Sequence, residues 1–138
     1  MNLRKVFEFI MEKRGYNLPF KYRLIAGLPI IKDELYFKGN LDLENTDIKK
    51  LPDNLTVIGR LNLENTKITE LPNNLTVKGY LDIENTDINT IPNNLKIGGD
   101  LYLFRTPISS IISGSEVRKM IEDKGGEVRG KIYFSFFY

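Results

Sequence analysis

The sequence predicts a mainly β repeat solenoid of about five rungs, with an N-terminal cap helix and a short helix before the last strand. One observation is an eight-residue segment beginning at Gly39 that recurs, with small changes, at Gly59, Gly79 and Gly99. The other is a strict alternation of apolar residues on either side of these glycines. A fixed period of twenty or more residues is typical of solenoids, and an alternation with period 2 indicates strand.

Composition limits the chemistry that this chain can perform. The chain has 138 residues, enough for one domain, and contains no cysteine and no histidine. Disulfides, thiolate or imidazole metal ligands and histidine acid–base catalysis are therefore excluded. No apolar run approaches the roughly 18 residues of a membrane span, and acidic residues interrupt the N-terminal apolar segment, which makes it a poor signal peptide. We expect a cytoplasmic protein without a metal or other cofactor.

The first element is a predicted amphipathic helix over residues 3–14. Its apolar residues from Leu3 to Ile10 have helical spacing, and Gly15 stands where a helix commonly ends. Terminal units of repeat proteins need atypical covers. We therefore interpret residues 1–30 as an N-terminal helical cap.

The second half of this cap, residues 16–30, is predicted to be irregular. Pro19, Gly27 and Pro29 all fall within it, and these residue types interrupt regular structure.

The repeats are predicted to occupy residues 31–112. A glycine within each alternating segment indicates a bend where two backbones approach closely. The prolines that follow cannot donate to a strand ladder, so each belongs on the irregular side of its coil. Stacked coils superpose equivalent residues, which predicts vertical files of threonine, isoleucine and asparagine: Thr46, Thr66, Thr86 and Thr106; Ile48, Ile68, Ile88 and Ile108; and Asn45, Asn65 and Asn85.

Residues 113–138 are predicted to form a helix and a final rung that together cap the C-terminal end. Ser113 and Glu116 have the spacing of a capping box, and Val117, Met120 and Ile121 form an apolar stripe behind them. The register of the repeats then returns over 128–134. The helix is therefore expected to replace one turn, and the whole chain to fold as one domain.

The segment from Leu61 to Pro72, with leucines, a threonine and an isoleucine at fixed spacing, resembles the leucine-rich repeat. Its length is similar to that of the twenty-residue bacterial repeats and of small repeat proteins encoded by bacteria and phages. Thr46, Thr66 and Thr86 stand where that family usually has asparagine, so a horseshoe and a flatter β-solenoid coil both remain open. The resemblance implies protein binding, since members of the family mostly bind other proteins.

The candidate partner-binding surface is the outward side of the strands. If Leu61 and Leu63 point inward, positions 60, 62 and 64 point outward, together with their equivalents in the other repeats. This face carries carboxylates, amides and aromatic rings. The candidate residues are Arg60, Glu64, Tyr80, Asp82, Glu84, Asp100, Tyr102 and Phe104.

The aromatic C-terminal end is a second candidate contact. An uncovered edge strand invites pairing with another chain. Alternatively, these aromatic residues cover the core of the last rung. The candidate residues are Tyr133, Phe136, Phe137 and Tyr138.

We expect a non-enzymatic protein–protein interaction module, one version being an inhibitor or accessory protein, encoded by a phage or bacterium, that binds a host or virion protein. One alternative is a structural subunit that self-assembles through its C-terminal edge. Another is a nucleic-acid binder, because residues 1–38 hold eight basic against four acidic side chains. The basic candidates are Arg4, Lys5, Lys13, Arg14, Lys21 and Arg23.

The repeated carboxylates allow three further interpretations. They could act as acid–base pairs, bind Ca²⁺, or simply form a solvated polar face. Catalysis requires a specific constellation in a concave pocket, and a calcium loop has a signature that is absent from this sequence.

Overall fold

The computed structural model describes residues 4–5, 18–110 and 113–134. Arg4 and Lys5 are helical, and the rest of the helix predicted over 3–14 lies outside the described residues. No helix in the described ranges is both long and apolar enough to traverse a bilayer.

The described chain is a β-solenoid in which every strand is parallel to its neighbours. Two five-stranded sheets run along it, and each coil contributes one short strand to each sheet. The first sheet contains β1 (Tyr36–Phe37), β3 (Thr56–Val57), β5 (Thr76–Val77), β7 (Lys96–Ile97) and β9 (Glu127–Val128). The second contains β2 (Leu41–Asp42), β4 (Leu61–Asn62), β6 (Leu81–Asp82), β8 (Leu101–Tyr102) and β10 (Ile132–Tyr133).

The twenty-residue period is the register of both sheets up to β8. Val57 pairs with Val77, and Leu61 pairs with Leu81. The apolar side chains of this alternation point inward, so that Leu61 and Leu81 are both 0% exposed. The prediction of a mainly β solenoid is therefore confirmed. The alternation spans two strands that belong to different sheets, and further buried residues, such as Ile68 and Leu71, follow outside the strands.

Glycines form the corner between the two strands of each coil. The Gly79 amide donates to the Gly59 carbonyl at 2.9 Å, and the Gly99 amide donates to the Gly79 carbonyl at 3.0 Å. A Cβ on Gly99 would lie 2.9 Å from the carbonyl carbon of Gly79. The predicted close approach of backbones at these glycines is thus confirmed.

Asparagines form two ladders at the turns of each coil. Asn65 and Asn74 both adopt the left-handed conformation, with φ of 57° and 60°. The Asn65 amide donates to the Asn45 side-chain oxygen at 2.9 Å, which confirms the predicted rung-to-rung bonding. The second ladder, in which Asn74 donates to Asn54 at 2.7 Å, was not predicted. Asparagine suits these positions because it tolerates positive φ better than most residues.

The threonine hydroxyls form hydrogen bonds within their own coil, and not from one coil to the next. Thr66 and Thr86 donate to the carbonyl oxygens of Leu63 and Ile83, each at 2.8 Å. Thr66 and Thr86 are both buried, so these bonds satisfy hydroxyl groups that would otherwise lose their water partners.

The prediction of irregular chain over 16–30 is wrong, because helix α1 (Phe20–Ala26) lies there. Pro19 and Gly27 are at its two ends, where proline precedes a helix without cost and glycine adopts the left-handed C-terminal conformation, here with φ of 71°. The predicted breakers therefore mark the boundaries of a helix. Its buried Phe20 and Leu24 belong to the main core.

Helix α2 (Gly114–Asp123) replaces one turn of the solenoid, as predicted. The Ser113 side chain accepts from the Glu116 amide at 3.3 Å, which confirms the N-cap. Val117 and Ile121 are buried, but Met120 is 37% exposed, so its assignment to the apolar stripe is wrong. Short 3-10 turns lie at Lys32–Leu35 and Ile108–Ser110.

The chain resumes the solenoid register after α2. Val128 pairs with Ile97, thirty-one positions earlier instead of twenty, and Ile132 pairs with Leu101. The Arg118 guanidinium donates to the carbonyl oxygens of Val128 and Gly130 at 2.5 and 2.7 Å, which fixes the last rung on the helix. The predicted return over 128–134 is confirmed.

We expect Gly99→Ala to lower the free energy of unfolding by roughly 1–3 kcal/mol, because the added methyl group meets the backbone of Gly79 and the stack must shift. Urea denaturation at constant pH measures this loss. Thr90→Ala, at an exposed position outside the strands, is the control and should change stability by less than about 0.5 kcal/mol. Equal effects of both substitutions would contradict the close-packed glycine corner.

Candidate functional site

The outward side chains of the second sheet, together with those of the residues just before and after its strands, form a continuous surface that we call the strand face. It comprises the equivalents of positions 60, 62 and 64 in each coil. Asn62 and Asp82 are paired in register and half-buried, while the leucines beside them are fully buried. The inward and outward assignments of these positions are therefore confirmed.

Aromatic rings run across the coils of this face as a tyrosine ladder. The Tyr102 ring is stacked on the Tyr133 ring, with centroids 5.0 Å apart and planes at 8°. On its other side the Tyr80 ring packs edge-on, with centroids 5.6 Å apart. The Arg60 guanidinium carbon lies 5.9 Å from the centroid of Tyr80. Four successive rungs thus contribute to one row of stacked side chains, each of which limits the rotation of the next.

Three carboxylates converge next to the tyrosine ladder. Carboxylate oxygens of Glu64, Asp82 and Glu84 lie within 4.8 Å of one another, and all three side chains are half-buried. We call this group the carboxylate cluster. Burial, followed by repulsion from Asp82 and Glu64, raises the pKa of Glu84 to about 7. Burial also raises the pKa of Asp82 above its ordinary value. Near neutral pH the Glu84 carboxyl is therefore partly protonated.

Several polar side chains of the strand face accept hydrogen bonds from backbone amides. The Asp82 carboxylate accepts from the Glu84 amide at 2.9 Å, and Asn62 accepts from Glu64 in the same way, also at 2.9 Å. Asp100 accepts from the Lys131 amide at 2.8 Å and so joins β8 to the last rung. Asp100, a candidate binding residue from the sequence, thus has a structural partner.

Arg105 was missed as a member of this site. It takes the left-handed turn position that asparagine occupies in the three preceding coils, with φ of 55°. Its positive charge lowers the pKa of Glu84, against the larger effects of burial and of the neighbouring carboxylates. The signal in the sequence was the break in the asparagine file at this one rung.

The carboxylate cluster has only part of what a metal site requires. Its oxygens are the ligand type that Ca²⁺ and Mg²⁺ prefer. Calcium takes six to eight oxygens, however, and the described cluster contributes three carboxylates from an open sheet face. The three described carboxylates therefore supply only part of a calcium coordination shell.

The two other sequence-based candidates are only partly described. Tyr133 belongs to the tyrosine ladder, whereas Phe136, Phe137 and Tyr138 lie outside the described residues. Self-assembly through this edge stays a prediction. Among the basic candidates, Arg23 forms an ion pair with Glu34 and donates to the Leu18 carbonyl at 3.0 Å, so its charge is largely committed to the fold.

Comparison with known proteins adds no assignment: no family model, curated protein or solved structure matches this chain. The structure shows a β-solenoid with a twenty-residue spacing. Membership of the leucine-rich-repeat family and a bacterial or phage origin stay predictions.

We expect the wild-type protein to lose about 1 kcal/mol of stability between pH 5 and pH 8 through Glu84, after allowance for solvent screening of this half-exposed group. The pKa of Glu84 is higher in the folded chain, at about 7, than its ordinary value of 4.5. The folded state is therefore favoured at low pH, and this contribution is lost as the pH rises through about 7. Glu84→Gln should remove most of the loss.

Urea denaturation at both pH values measures this effect. Glu70→Gln, at an exposed position outside the cluster, is the matched control and should keep the wild-type pH dependence. An unchanged pH profile in Glu84→Gln would show that the cluster does not hold the proton.

Proposed function

We propose that this protein is a non-enzymatic interaction module that binds a protein partner through the strand face. The observation that carries the proposal is the tyrosine ladder beside the carboxylate cluster. Tyrosine is enriched among the residues that contribute most binding energy at protein interfaces. Here Tyr102 is held between two other rings, so ordering it on binding costs little further entropy.

The carboxylate cluster supports the interpretation of the strand face as a functional surface, and not merely as a solvated polar face. Like charges placed directly opposite each other on parallel strands are destabilising. The aspartate file relieves this repulsion, because Asn62 lies between Asp42 and Asp82. The glutamate file places Glu44, Glu64 and Glu84 in succession, and its relief is only partial. Asn62 donates to the Glu44 carboxylate at 3.1 Å, and the charge of Arg105 offsets part of the repulsion at Glu84. Proteins accept a local conflict of this kind mainly at functional sites.

The same charges define the partner. A lysine or arginine side chain placed against Glu64 and Glu84 would relieve their repulsion and gain charge-assisted hydrogen bonds. We therefore propose a partner with a basic patch flanked by apolar or aromatic side chains that cover the tyrosine ladder. Charge complementarity of this kind sets the rate of association and the choice of partner more than the raw affinity.

Two features count against a nucleic acid on this face. Its carboxylates would repel phosphates, which supply most of the affinity in such complexes. The Tyr102 ring packs against rings on two sides and offers no open stacking platform to a base.

In a more particular form of the proposal, which rests on the resemblance of the repeats, the protein is a bacterial or phage inhibitor or accessory protein.

We expect the double substitution Tyr80→Ala and Tyr102→Ala to weaken partner capture at least about tenfold, because it removes two ring anchors from the centre of the face. Affinity capture from a lysate of the source organism, quantified by mass spectrometry, identifies proteins held by the wild type. Titration of the leading candidate then measures the loss.

The matched control is Tyr22→Ala with Tyr36→Ala. These two tyrosines are 55% and 56% exposed and lie outside the strand face, on α1 and β1. Capture should survive in this control, and both double variants should remain folded by circular dichroism. Equal capture by the two double variants would rule out the strand face as the binding surface.

A further inference from the structure

A second candidate site lies on the outward side of the first sheet, away from the strand face. A cleft of about 310 Å³ opens over β5, β7 and β9. Its walls include the side chains of Lys78, Lys96, Arg129 and Thr76. This cleft is independent of the proposed protein-binding surface.

The cleft exists because one file of side chains has a gap. The residues that follow the strands of the first sheet are Lys38, Ile58, Lys78, Gly98 and Arg129. Gly98 contributes no side chain, and its backbone lies so close to the preceding coil that a Cβ would be 2.3 Å from the Lys78 carbonyl oxygen. Lys78 and Arg129 therefore stand on either side of an empty position, two rungs or roughly 9–10 Å apart.

Positive charge surrounds this gap on several sides. Among the described residues, neither the Lys78 nor the Lys96 ammonium makes a hydrogen bond or a close ion pair. Lys96 does lie opposite Glu127 in register, and its charge adds to the larger effect of Arg129 in lowering the pKa of the Glu127 carboxyl. Arg129 donates through its Nε to Glu127 at 2.6 Å, and its side chain remains 75% exposed. Because Glu127 is the one carboxylate of the lining, three cations face a single anion.

We propose that this cleft binds a phosphoryl group, either as inorganic phosphate or as a phosphate monoester. A phosphoryl group presents three acceptor oxygens, and the three cations of the cleft belong to three neighbouring coils, at β5, β7 and β9. Lysines bind phosphate as point charges, through hydrogen bonds of about 2.7–2.9 Å. The Thr76 hydroxyl adds a neutral donor at the same wall.

Phosphate fits this cleft better than the two nearest alternatives. A carboxylate has only two oxygens and one charge, so it would leave part of the donor set unmatched. A polynucleotide needs a basic groove that tracks its backbone over several nucleotides. The neighbouring coil presents Thr56 and Ile58 instead of cations, so the run of positive charge ends after the three coils that line the cleft.

The test is a titration of the ¹⁵N-labelled protein with inorganic phosphate, against sodium chloride at equal ionic strength. We expect saturable shifts of the Lys96, Gly98 and Arg129 amides. Lys78→Gln and Lys96→Gln should each weaken binding about fivefold, the equivalent of one hydrogen bond of about 1 kcal/mol. The matched controls are Lys49→Gln and Lys67→Gln, at exposed positions outside the strands, which should leave binding unchanged.

A parallel titration with O-phosphoserine distinguishes the two sources of the group. Tighter binding of phosphoserine supports a phosphorylated side chain or metabolite, and tighter binding of inorganic phosphate supports the free ion. Shifts that do not saturate, shifts reproduced by chloride, or equal losses in the control variants would overturn the proposal. A single-stranded oligonucleotide that binds more tightly than either phosphate would overturn it in favour of a polynucleotide.

Discussion

The structure depends on the in-register stacking of coils at their glycine corners. Each corner amide donates to the corner carbonyl of the preceding coil, and the backbones approach within the space that a Cβ would need. Because no side chain fits there, Gly59, Gly79 and Gly99 allow one spacing of the coils. All other files of residues inherit that spacing.

Stacking places each residue of the repeat next to the equivalent residue of the neighbouring coil, so that like side chains interact. For asparagine this is favourable, since an amide is both donor and acceptor and can continue a ladder through Asn54, Asn74 and Asn94. For leucine and isoleucine it builds a continuous core. For glutamate it is unfavourable, and the repulsion from Glu64 adds to the larger effects of burial and of Asp82 in raising the pKa of Glu84. The proposed partner surface is therefore the place where stacking equivalent residues lowers the stability of the fold.

The ends of the solenoid show how departures from the repeat are tolerated. Helix α2 lengthens one coil by eleven residues, yet Val128 still pairs with Ile97, because the extra chain leaves the stack at a turn. Arg118 then bonds the helix to the last rung. A neighbouring departure, Gly98 in a file of longer side chains, leaves the basic cleft. Helix α2 and the basic cleft therefore both lie where the sequence departs from the repeat.

The sequence alone determined the period, the inward and outward faces, the glycine bends and the return of the register over 128–134. These follow from spacing, because equal positions in stacked coils must superpose. Only the tertiary structure decided which side chains of one face bond to the protein itself and which remain exposed to solvent. Asp100 is committed to the Lys131 amide, and Met120 lies outside the core. Such outcomes depend on distances between files and on competition for partners, which periodicity does not specify.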